Sequence, residues 1–138
     1  MIKIQKKDFN IENEIKKILD NQSSVGAVNI FVGYVRDLNN KKDVKFMELE
    51  VYNEMANKEL SAIKDFAVKK FNLSDCLIIH RYGKLYVSEK IVLVACFSEH
   101  RENSFEASKY IMNYLKKDAP FWKKEFYNEE SSWLQNTS

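Results

Sequence analysis

The sequence predicts an α+β domain, a mostly antiparallel sheet with helices packed on it, and three observations carry that prediction. Apolar residues recur at helical spacing in three separate stretches. Between them lie β-branched and aromatic runs that alternate or are continuously apolar. Strands that follow one another with short breaks, and helices between them, favour local antiparallel pairing over a doubly wound sheet. At 138 residues the chain is long enough for one domain with one sizeable core, spanning residues 1–138. Only 3 glycines and 1 proline argue against long linkers.

Taken in order, IENEIKKILD at 11–20 places Ile11, Ile15, Ile18 and Leu19 on one stripe of a short helix. VGAVNIFVGYVR at 25–36 reads as a strand, with Gly33 marking a bulge or a close backbone approach. DLNNKKD is a turn. VKFMELEVY at 44–52 alternates, with Met47, Leu49 and Val51 facing one way and Glu48 and Glu50 the other. A hairpin pairing of these two strands is expected. From Asn53 to Phe71 a helix carries Ala56, Leu60, Ile63 and Ala67 inward, with Met55 and Phe66 widening the stripe.

CLIIHRY is the next strand, with His80 on the side of Cys76 and Ile78, a core or sheet histidine. Gly83 marks a turn before KLYV, and Ser88-Glu89 leads into IVLVACFS, apolar on both faces and therefore central. Asn103 and Glu106 resemble a capping box that starts a helix at Ser104 and runs it to 117. Pro120 stops that helix. FWKKEFY is a short extended piece, and 129–138 a polar, frayed tail. The helices are expected on one side of the sheet.

The composition narrows the function. A net charge of +2 is too small to imply nucleic-acid binding, so any electropositive site must come from local clustering. No apolar run approaches the roughly 18 residues that span a membrane, and the N-terminus lacks a signal-peptide stretch, which predicts a cytoplasmic protein. Cys76 and Cys96 lie in apolar runs outside any metal spacing and read as reduced core thiols. The chain holds no Gly-rich phosphate loop, HExxH, CxxC or GxSxG, and no metal or cofactor of its own is expected.

Chemistry concentrates between His100 and Glu125, where cations stand at both ends of one helix and on the segment after it. His100 and Arg101 fall at a helix N-terminus, where free N–H groups already favour an anion. Alternatively Arg101 pairs with a surface carboxylate and His100 merely ends a strand. On the wheel Phe105, Ile111, Met112 and Leu115 define the buried stripe; Lys116 falls at its edge, whereas Lys117 points away. A partly desolvated amine there suits nucleophilic or base chemistry, although a lysine in a last turn is also favoured by the helix dipole alone. Periodicity after Pro120 does not choose between Lys123 and Lys124. Arg36 ends the first strand, as surface arginines do.

In order, FxGxVR, HRxGxL, HRxxxF and LKxxxPFWKKE resemble the MoaE family, the large catalytic subunit of molybdopterin synthase, over residues 26–133. The resemblance implies an α/β hammerhead fold and a sulfurtransferase that converts cyclic pyranopterin monophosphate into the dithiolene molybdopterin. Its sulfur comes from the Gly-Gly thiocarboxylate of a small ubiquitin-like MoaD-type subunit. The assembly it implies is a central homodimer with one small subunit at each end, a heterotetramer. By motif, Lys116 and Lys123 become catalytic, and Arg36, His100 and Arg101 bind the substrate. Ser88 stands where the family usually has glycine, and Ser104 where alanine is common. The competing readings are an RNA-binding α+β module, which lacks the glycine-aromatic signature, and a non-catalytic scaffold for a ubiquitin-like tail.

Overall fold

The computed structural model describes residues 1–39, 42–43, 46–117, 120–127 and 130–134. Its elements in chain order are β1 (Ile2–Gln5), α1 (Ile11–Leu19), β2 (Ala27–Tyr34), β3 (Leu38–Asn39), β4 (Lys42–Asp43) and β5 (Phe46–Val51). Then come α2 (Asn53–Lys70), β6 (Asp75–Arg81), β7 (Gly83–Tyr86), β8 (Lys90–Ser98), α3 (Arg101–Lys117), β9 (Phe121–Tyr127) and β10 (Glu130–Leu134). They form an α+β architecture of two four-stranded sheets, ordered β1-β6-β8-β2 and β10-β9-β5-β7, and a two-stranded ribbon of β3 and β4. All pairings are antiparallel except that of β1 with β6.

β6 and β8 are buried along both faces, as their unbroken apolar runs require. Alternation sends Cys76, Ile78, Val94 and Cys96 to one face, where Ala56, Leu60, Ile63, Ala67, Ala107 and Ile111 of α2 and α3 cover them. Leu77, Ile79, Leu93, Ala95 and Phe97 point to the other face, under Ile15 and Ile18 of α1. Helices therefore cover both faces, not one. α1 reaches the second face because Asn10 caps it, accepting from the Asn13 N–H at 2.9 Å, and Lys3 on β1 pairs with its Glu14 at 2.5 Å.

Three further expectations change, and one strand is added. β2 does not form a hairpin with β5; it takes the edge beside β8 through a register of eight pairs, while β5 joins β7 and β9. The segment between them pairs within itself instead, β3 with β4, and β2 lies against the apolar strand. The tail is partly ordered backbone, since β10 pairs with β9; residues 128–129 and 135–138 lie outside the described ones. The added strand is β1, in which Ile2 and Ile4 alternate as a strand should. In α2 the inward residues are as expected, but Met55 and Phe66 are about half exposed, at 50% and 48%.

Gly33 has both predicted properties: the register with β8 shifts between Gly33 and Tyr34, and a Cβ on Gly33 would stand 3.0 Å from Val92 Cγ1. Among the described residues no helix is long and apolar enough to cross a membrane. Cys76 and Cys96 are free, buried and directly opposite each other. The Cys76 thiol and burial together push the Cys96 thiol far up, so the Cys96 sulfur is not primed as a nucleophile.

Candidate functional site

Strand direction decides which cations share an end of the fold. β2 and β8 run antiparallel, so the pair Tyr34 and Lys90 marks one end and the pair Ala27 and Ser98 the other. Only Glu99 and His100 separate β8 from α3, so α3 must turn back across the sheet, where it lies on β8 and β2. Its last turn, with Lys116, therefore returns to the Tyr34 end, where Arg36 leaves β2. Val35, Leu115 and Phe121, the neighbours of Arg36 and Lys116 and the start of β9, belong to one buried cluster. His80 stacks on Phe121 at 3.7 Å between ring centroids and 15° between planes, fixing the start of that strand to the first sheet. Lys123 follows in β9, opposite Leu49 of β5; its side chain lies outside what the structure describes.

His100 and Arg101 sit at the far end. Fifteen helical steps separate Arg101 from Lys116, a rise of about 22 Å. One small anion cannot touch both in the same chain. The five candidates thus divide: Arg36, Lys116 and the backbone of Lys123 lie at one end, and His100 with Arg101 at the other.

α3 begins at Arg101 rather than Ser104. The expected capping box is absent because the Asn103 amide donates instead to the Phe71 carbonyl at 2.8 Å, tying α3 to the end of α2. The buried stripe is also different: Ser104, Ala107, Ser108, Ile111 and Leu115 face the sheet, and Phe105 is 59% exposed. Small residues let the helix lie close to the sheet, which rotates Phe105 to the flank. Lys116 is exposed, one turn beyond the half-buried Met112 that packs against the core, on the flank that also carries Arg101 and Phe105. Lys116, Arg101 and Arg36 are exposed and make no ion pair among the described residues. His100 is exposed beside Glu99, 3.6 Å away, a pair that is ionic only when the imidazole is protonated.

Sequence reasoning missed the apolar surface beside these cations. Phe31 stands opposite Val94 on the α3 side of the edge strand and is 39% exposed, and Met112 lies on the neighbouring helical flank. The signal was present in the first position of FxGxVR but carried no weight without a surface to place it on. Helices close both faces of the first sheet, which leaves it no open face for stacking bases.

The fold is an α+β domain of two four-stranded sheets that carries exposed cations at both ends of α3. The family model described as MoaE protein matches residues 4–118. On that match and its relatives, the chain belongs to the MoaE family. It is 44% identical over 133 residues to the molybdopterin synthase catalytic subunit of Ralstonia nicotianae, covering 96% of this chain and 76% of that one. The Burkholderia ambifaria molybdopterin biosynthesis MoaE protein superposes with a TM-score of 0.86 at 38% identity, covering 100% and 90%. The molybdopterin synthase structure from Staphylococcus aureus superposes with a TM-score of 0.89 at 31% identity, covering 96% and 95%.

Proposed function

We propose that this chain is the catalytic subunit of a cytoplasmic molybdopterin synthase, moving sulfur from a partner's C-terminal thiocarboxylate onto cyclic pyranopterin monophosphate. The observation that carries the reading is the convergence of Arg36, Lys116 and the start of β9 at one end of the fold, beside Phe31 and Met112. Exposed cations beside the apolar side chains of Phe31 and Met112 suit the capture of a flexible, anionic C-terminal tail. Lys116 and Lys123 act on the reacting atoms, and Arg36, His100 and Arg101 hold the phosphate and steady the negative charge that develops. Both thiols of this chain are buried, which fits sulfur supplied by a ubiquitin-like MoaD-type partner. Each of the two sulfur additions forms a carbon–sulfur bond on the pterin as a carbon–oxygen bond at the same carbon breaks, the oxygen leaving with the phosphate or as water. Water then cleaves the acyl carbon–sulfur bond, and the partner leaves as a carboxylate.

The reading includes a homodimer. β2 is a sheet edge that exposes Ile30 at 43%, Phe31 at 39% and Tyr34 at 49%, an apolar border of the kind a second copy covers. The distance of about 22 Å along α3 gives that second copy a chemical task. His100 and Arg101 of one subunit complete the site that holds Lys116 of the other, with one small partner at each end of the pair.

The test is direct. The protein is mixed with thiocarboxylated small subunit and precursor, and dithiolene formation is followed. Lys116→Ala is expected to keep fold and partner binding and to lose product by at least about a hundredfold. Turnover at the wild-type rate by that variant would remove Lys116 from the chemistry.

A further inference from the structure

We infer that Glu89 is a positioning residue for Arg36, acting through the turn between β7 and β8. The inference rests on Arg36 contacting the anionic substrate. Arg36 is exposed and stands just beyond the register shift at Gly33 and Tyr34, so no strand pairing directs it. What holds the chain there is Val35, which is gripped on both of its backbone groups. Its N–H donates to the Glu89 carbonyl at 3.0 Å, and its carbonyl accepts from the Ser88 N–H at 2.9 Å. The direction in which Arg36 departs is thus set by where the Ser88-Glu89 turn sits.

That turn is held by the Glu89 carboxylate. One oxygen accepts from the Tyr86 N–H at 2.6 Å, closing the turn on itself. The other faces Nη1 of Arg81 at 3.3 Å. Arg81 is nearly buried and anchored in turn: Nε and Nη2 donate to the Lys6 carbonyl at 3.1 and 3.0 Å, and Nη1 to the Lys90 carbonyl at 3.0 Å. A continuous line of bonds therefore runs from the rigid first sheet through Arg81 and Glu89 to Val35, and so to Arg36. Ser88 at φ 72° occupies the left-handed region, so the turn is strained and depends on that staple to keep its shape.

The experiment is steady-state kinetics of the assembled synthase with cyclic pyranopterin monophosphate as the varied substrate. It compares wild type, Arg36→Ala, Glu89→Gln, Glu89→Ala and the two double variants with Arg36→Ala. Glu89→Gln keeps an acceptor for Tyr86 and loses the charge toward Arg81, so it reports even if Glu89→Ala does not fold. Arg36→Ala is expected to raise KM about tenfold, and Glu89→Gln several-fold with kcat within about twofold. On Arg36→Ala the Glu89 substitutions are expected to add nothing further, because a residue that acts through another is silent once the other is gone. A purely structural loss would lower kcat at unchanged KM, and that result overturns the inference. So do effects that multiply in the double variants, or a wild-type KM for Glu89→Gln while Arg36→Ala raises it. A wild-type KM for Arg36→Ala itself refutes the substrate contact, and with it the inference.

Discussion

Ser88 pays locally for the turn it makes. A non-glycine residue at φ 72° brings its Cβ toward the following carbonyl oxygen, which costs about 1 kcal/mol relative to glycine. Ser88→Gly is therefore expected to stabilise the protein by roughly 0.5–1 kcal/mol in urea unfolding, with the slope unchanged. The family motif pointed to this position through its usual glycine, whereas composition and spacing marked only a turn. Lys116 teaches a different lesson. The helical wheel preferred it to Lys117 by leaning on Phe105, yet Phe105 is on the solvent side. Ser104, Ala107 and Ser108 make the contact with the sheet, and a wheel that weighs hydrophobicity cannot see small residues chosen for close approach.

Among elements, those defined by their own periodicity were legible and those defined by partners were not. The inward face of α2 and the central position of β8 follow from spacing alone. The edge position of β2 does not, because the pattern of a strand names its faces and not its neighbours. Cys76 and Cys96 show how much register adds. The Met1 amine donates to the Cys76 carbonyl at 2.6 Å and the Cys76 N–H goes to Asp75, so both groups face away from β8. The two cysteines thus form a non-hydrogen-bonded pair, the closer kind, which brings the sulfurs together under α2 and α3.

The docking of α1 is set partly by charge. The Lys3 ammonium, opposed by some desolvation, holds the Glu14 carboxyl below its ordinary value. Because the folded value is the lower one, this stabilisation is complete above the usual carboxylate range and is lost as pH falls through the depressed value. Both partners retain some exposure, so the pair contributes no more than about 1 kcal/mol. Unfolding measured against pH should show Glu14→Gln less stable than wild type at pH 7, with the gap closing below about pH 4.

At the scale of the whole molecule, two apolar faces on one sheet and a second sheet at its end create the frame on which the cations are distributed. The sequence identified which residues carry charge, and even their spacing along α3. It could not say which end of the sheet each group of cations occupies, since that follows only from the antiparallel course of β2, β8 and α3. The separation along α3 has a genetic consequence. In the dimer proposed above, two inactive variants, Arg101→Ala and Lys116→Ala, would carry their defects in opposite halves of a shared site. In a mixed dimer both defects fall in one site and the other is intact. Unfolding and refolding an equal mixture should therefore restore about a quarter of wild-type activity, as random pairing makes half the dimers mixed with one working site each. A site contained within one chain would restore none, so two dead alleles in one cell would report the quaternary arrangement by whether they rescue each other.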